Sequence, residues 1–143
     1  MKNDLKILYE HHKKCMIQFD RLIEVYESSK DVVPLIKLKK NNREIFNVFR
    51  IGLLTVSLPN LIRLFGFPHK INLENESRET IVWEFFIGHS VLVIYDHCIG
   101  LQYDKKGKDL FDIHQWSIGS NSTTMIDFVK TKIKEYDFVS FKQ

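Results

Sequence analysis

The 143-residue sequence predicts an α+β fold, a small antiparallel β-sheet packed by helices and preceded by a long amphipathic N-terminal helix. Three observations carry that expectation. Apolar residues near the start recur at alternating spacings of three and four. Two β-rich runs, Thr80–Ile87 and Ser90–Asp96, are separated only by Gly88-His89. A capping pattern then opens a second amphipathic stretch near the end. The length suits one domain, with 1–30 as the N-terminal helix and 31–143 as the sheet-and-helix body.

The first helix is read over 4–28. Leu5, Leu8, His12, Cys15, Phe19, Leu22 and Tyr26 form its seam, with His12 as the polar break and Met16 and Ile23 widening the face. Lys13, Lys14, Gln18, Asp20, Arg21, Glu24 and Glu27 lie elsewhere and keep the other side wet. A seam of about three heptads exceeds what a small sheet needs, so these seven residues form a candidate interface with a second copy or a partner's groove. Packing across the domain's own sheet is the equal alternative.

Ser28–Asp31 ends the helix with turn-forming residues, and Val32–Lys39 reads as a strand that Pro34 places at an edge. Lys40-Asn41-Asn42 suits a tight turn, and Arg43–Ile51, with Phe46 and Val48 in alternation, completes a predicted hairpin. Gly52 marks a bulge before Leu53–Val56. Ser57 and Pro59 start a short helix through Leu61, Ile62, Leu64 and Phe65, which Gly66 and Pro68 stop. His69–Glu79 reads as a loop, and the Gly88-His89 hairpin follows. Gly100–Leu110 is a solvated loop and Phe111–Ile118 a further strand. Thr124 and Asp127 match a capping pattern for the last helix, whose face is Met125, Phe128, Val129, Ile133 and Tyr136.

The net charge of +3 is too small for a dedicated nucleic-acid binder, and no apolar run approaches the ~20 residues of a membrane-spanning helix. The first residues lack a secretory pattern, and Cys15 and Cys98 match no metal-finger or redox spacing. The expectation is a cytoplasmic protein with free thiols, no cofactor, no bound metal and no membrane contact. The sequons at Asn75 and Asn121 then carry no glycan. The chain has no alanine and is rich in Lys, Asn, Ile and Phe, the bias of an AT-rich genome.

Five features bear on chemistry. His11, His12 and Cys15 share a helical turn, and His97, Cys98 and His114 lie on or beside strands, yet a packed helix accounts for them better than a zinc site. Asp96-His97 with Asp112 and His114 offers a general acid and base, but no nucleophile accompanies them. Gly119, Ser120, Asn121, Ser122, Thr123 and Thr124 open a helix as a phosphate-binding turn would, with Trp116, Tyr95 and His97 available to stack on a base; capping alone also explains them. Tyr95, His97, His114, Trp116, Gly119, Ser120, Ser122 and Thr123 are therefore the candidate ligand-binding set. Lys37, Lys39, Lys40 and Arg43 form a basic tip that could meet phosphates, but with so modest a net charge a solvated, protected edge strand accounts for them better. The N-terminal seam is the fifth.

Leu64-Phe65-Gly66-Phe67-Pro68, Trp83-Glu84-Phe85, Ile94-Tyr95-Asp96 and Trp116-Ser117-Ile118-Gly119, in that order before an amphipathic helix, resemble a group of small uncharacterised proteins from phages and large DNA viruses. The resemblance covers roughly 58–136; Ser120 and His97-Cys98 depart from its pattern. It implies a viral or mobile-element accessory protein and carries no activity with it. The expected function is a non-enzymatic, oligomeric binding protein that blocks a host component or sequesters a small signal molecule. The alternatives are a nucleotide or nucleic-acid binding module and a small His/Asp-dependent hydrolase.

Overall fold

A computed structural model describes residues 2–44, 47–74 and 76–143. The elements run α1 (Lys2–Ser29), β1 (Lys39–Lys40), β2 (Phe49–Thr55), α2 (Leu58–Phe65), β3 (Lys70–Ile71), β4 (Ile81–Ile87), β5 (Ser90–Tyr95), a 3-10 turn at Leu110–Asp112, β6 (Gln115–Ser120), α3 (Met125–Ile133) and β7 (Ser140–Lys142). The strands form one antiparallel sheet in the order β1-β4-β5-β6-β2-β7, and β3 shares with β1 the outer edge of β4. The predicted α+β class with a long N-terminal helix is the fold observed.

Alternation along the strands divides the sheet into two faces. Ile81, Trp83 and Phe85 of β4, Leu92 and Ile94 of β5, and Trp116 and Ile118 of β6 point inward and are almost fully buried. Leu22 of α1, Leu58, Leu61, Ile62, Leu64 and Phe65 of α2, and Met125, Val129 and Ile133 of α3 close that core. At its centre the Trp83 and Trp116 rings meet edge to face, 5.8 Å apart. Their indole N–H groups donate to the carbonyls of Gly66 and Val56, so neither buried ring leaves its own donor unpaired.

Local signals account for the elements that match. Ser57 Oγ accepts from Asn60 N and Pro59 sits in the first turn of α2, while Gly66 N bonds Ile62 O at its end. The β4–β5 hairpin turns at Gly88-His89, with Gly88 at φ +61. The predicted bulge is present: register slips between Arg50 and Gly52, leaving Ile51 extra.

Several assignments change, among them the strand expected over 111–118, which starts only at Gln115 after the 3-10 turn at Leu110–Asp112. Val32–Leu38 is not strand, and β1 keeps only Lys39–Lys40. The first hairpin does not form, because β1 pairs with β4 whereas β2 pairs with β6 and β7. Phe46 of that expected alternation, like Asn75 of the first sequon, lies outside the described residues. The expected loop 69–79 and the tail after α3 contain short strands, β3 and β7. Finally, Thr124 adopts helical angles and makes no side-chain cap on α3.

The seam of α1 also shifts. Of the expected set, Cys15 and Leu22 are buried and Phe19 is half-buried, but Leu5, Leu8, His12 and Tyr26 are exposed. The inward stripe is His11, Cys15, Gln18, Leu22, Val25 and Ser29. The segment 101–111 selects it by hydrogen bonding: Gln18 Oε1 accepts from Leu110 N at 2.8 Å, and His11 Nε2 lies 2.8 Å from Leu101 O. Arg21 lies over the Phe111 ring and 3.8 Å from Asp109 on the same side. Among the described residues, no helix is long and apolar enough to cross a membrane.

Candidate functional site

The helices cover one face of the sheet and leave the other to be built from the alternate residues. Val82, Glu84 and Phe86 of β4, Val93 and Tyr95 of β5, and Ser117 and Gly119 of β6 point outward. β1 and β2 pair on opposite sides of β5, and described residues between them lie over this face. The Arg43 guanidinium stands 4.6 Å from the centre of the Phe86 ring, and Val48 packs on Gly119. A Cβ on Gly119 would fall 2.8 Å from Val48 Cγ1 and 3.5 Å from Tyr95 Cε1, so glycine there admits both side chains.

Beside Val48 the outer face holds an open trough of about 430 Å³ lined by Val48, Lys70, Glu79, Val82, Glu84, Val93, Tyr95 and His97. Its floor is aliphatic. The Tyr95 and His97 rings meet edge to face at 5.8 Å. An ion pair and a histidine–carboxylate contact frame it, Lys70 Nζ to Glu84 Oε1 at 2.8 Å and His97 Nδ1 to Glu79 Oε1 at 3.6 Å. Burial pushes the Tyr95 hydroxyl above its ordinary pKa, Arg50 pulling it down and Glu79 adding to the rise, so it is a hydrogen-bond donor at neutral pH.

One rim rests on His69. Its Nδ1 accepts from Glu84 N at 2.9 Å, and its backbone N–H donates to Val82 O, which completes the edge of β4 between β3 and β1. Burial, reinforced by Lys40, lowers the His69 pKa, in keeping with a neutral ring that accepts this bond.

The structure brings together only part of the ligand-binding set. Tyr95, His97 and Gly119 share the outer face. Trp116 is fully buried on the opposite face, where no base can stack on it. Ser120 is buried on that inner face too, and its Oγ accepts from Ser122 N. His114 precedes β6 and Ser122 and Thr123 follow it, which separates them by more than the strand's length, about 16 Å for five steps. Polar groups of the turn are engaged within the protein: Ser122 Oγ lies 2.7 Å from Thr124 Oγ1, and Asn121 Oδ1 accepts from Val91 N of β5. The basic residues Lys40 and Arg43 lie beside a second depression, shared with Lys70, Glu44 and Glu84.

The acid–base residues are likewise divided. Asp96 points into the core with no exposed surface, while its neighbour His97 faces out. Asp96 Oδ1 accepts from the amides of Thr80 and Ile81, and Oδ2 has no hydrogen-bond partner. Burial raises the Asp96 pKa to about 6, against the amides of Ile81 and Thr80 and the Thr80 hydroxyl, which lower it. Gly100 permits this arrangement, because a Cβ there would lie within 3 Å of both Thr80 Oγ1 and Asp96 Oδ2. Asp96 therefore ties the end of β5 to the start of β4. Cys98 Sγ stands 3.6 Å from His97 Nε2 and 3.9 Å from Nδ1, a side-on contact rather than a relay through one nitrogen. Among the described residues, no three His, Cys, Asp or Glu side chains are grouped to hold a metal ion.

Glu79, Lys70, Glu84, Val48, Val82 and Val93 are not among the candidate site residues that the sequence offers. Strand alternation opposite Trp83 and Ile94 was a usable signal for Val82, Glu84 and Val93. Lys70 and Val48 had none, because each arrives through a pairing or crossing that local sequence does not express. Comparison with protein-family models, curated proteins and solved structures gives no match for this chain.

Proposed function

We propose that the chain is a cytoplasmic, non-catalytic binding protein that captures a small, flat, largely uncharged molecule on the outer face of its sheet. One observation carries the reading: Tyr95 and His97 stand side by side above Val82 and Val93, in a trough of about 430 Å³. That volume lies in the range of small-molecule sites, which combine apolar walls with a few placed polar groups. Lys70 and Glu84 neutralise each other, and the Glu79 carboxylate lies against the His97 ring rather than in the open trough. A ligand held by ring packing and the Tyr95 hydroxyl, such as a nucleobase or similar heterocycle, therefore suits the trough better than a bare phosphate. The resemblance to phage and large-virus proteins supports an accessory role, in which holding a signal molecule keeps it from its receptor.

Native mass spectrometry of the chain purified from cells tests this reading. The expected result is a small-molecule adduct that Tyr95→Ala and the trough-filling Val93→Trp both remove. An adduct that survives both substitutions overturns it. So does adduct-free protein that also fails to bind a panel of nucleobases and nucleosides.

A further inference from the structure

α1 carries two seams, and the more apolar one faces outward. The inward stripe includes His11, Cys15, Gln18 and Ser29. The outward stripe is Leu5, Tyr9, His12, Met16, Phe19, Ile23 and Tyr26, spaced four, three, four, three, four and three apart over about 30 Å. Leu5 is 62% exposed, Tyr9 59% and Ile23 60%; only Phe19 is half-buried, and Tyr26 touches the Phe67 ring from one side. At about 100° per residue the two stripes lie roughly 110° apart, so the outward one borders the domain body without facing it. A sustained heptad of this kind is the pattern that pairs helices.

The flanking charges select the partner. On the side away from the body, the residues after Leu5, His12, Phe19 and Tyr26 are Lys6, Lys13, Asp20 and Glu27, two basic and then two acidic. We propose that α1 pairs with α1 of a second copy in antiparallel register, so that Lys6 meets Glu27 and Lys13 meets Asp20 across the two-fold axis. The same register sets Met16 against Phe19, His12 against Ile23 and Tyr9 against Tyr26, which is self-complementary as a two-fold interface requires. A parallel pair would set this charged flank against Leu8, Cys15 and Leu22, where nothing matches it. Glu27 now bonds Lys30 at 2.9 Å and Lys13 lies over the Tyr9 ring, both exposed contacts weak enough to rearrange. The interface is independent of the trough.

The test uses the full chain with Lys6 and Lys13 both changed to Glu, with Asp20 and Glu27 both changed to Lys, and with all four changed. All four positions are exposed, so circular dichroism should stay that of the parent. Sedimentation should show each double variant associating about tenfold or more weakly, and the fourfold variant, or a mixture of the two doubles, regaining the parent's affinity. As an orientation readout, Lys13→Cys mixed with Asp20→Cys should give the mixed disulfide in preference to either homodimer. A parent that stays monomeric at sub-millimolar concentration overturns the proposal. Double variants that associate like the parent, or preferential cross-linking of Lys13→Cys to itself, also overturn it.

Discussion

The inward seam of α1 is the more polar of the two, and that inversion shows what decides burial in this helix. Gln18 is completely buried because its carbonyl oxygen satisfies Leu110 N, while Ile23, five residues on, is 60% exposed. The body accepts the stripe that presents Gln18 Oε1 to Leu110 N and His11 Nε2 to Leu101 O, even though Gln18 Nε2 is left buried without a partner, and leaves out the stripe with more hydrocarbon. The end of β5 repeats the contrast. Asp96 turns inward to bind two amides, and His97 turns outward to the trough. In both places a polar side chain with an internal partner enters the core while a nearby residue stays at the surface.

The seams separate most clearly by truncation. Leu22→Ala should lower stability by about 2–5 kcal/mol in urea denaturation, as a cavity in a packed seam does, without changing the solution mass. The inward turn of Asp96 should appear as a pH effect. Its folded pKa is raised, so the native state holds the proton more tightly. Its contribution is complete below the unfolded value near 3.8 and is lost as pH rises through about 6, an amount of about 3 kcal/mol. His69, with its lowered pKa, acts in the opposite sense, contributing above the unfolded value of 6.5 and losing that contribution as pH falls below it. The difference between the parent and Asp96→Asn across pH 4–6 isolates the carboxyl, and a parallel pair of curves would refute its role. Gln18→Ala should cost about 1–3 kcal/mol by orphaning Leu110 N, which hydrogen exchange at that amide would register. Ile23→Ser should change the stability of the isolated chain by no more than about 0.5 kcal/mol while weakening self-association, the reverse of Leu22→Ala.

The sequence discloses the elements whose causes are local. Ser57 and Pro59 open α2, Gly88-His89 turns the hairpin, and Gly52 follows the bulge, each through chemistry confined to a few residues. Partners of a strand are a different matter. Lys39–Lys40 reads equally well beside 43–51 or beside β4, and the positions of Arg43 and Val48 on the outer face rest on tertiary contacts, such as Arg43 on Phe86. The helix seam failed for a related reason. Leu5, Phe19 and Tyr26 look more buriable than His11 and Gln18 until the carbonyl of Leu101 and the amide of Leu110 are in place. For the site, Tyr95, His97 and Gly119 were legible as a group, whereas Trp116 and Ser120 fall on the other face of the same strand once its register is fixed.

The outward seam is the most exposed claim. Light scattering on the intact chain across a concentration series, beside Met16→Glu, measures it directly. The parent should approach twice its 17.0 kDa mass as concentration rises while the variant stays at the protomer mass. A parent that remains at protomer mass throughout, or a Met16→Glu chain that associates equally well, would contradict the account.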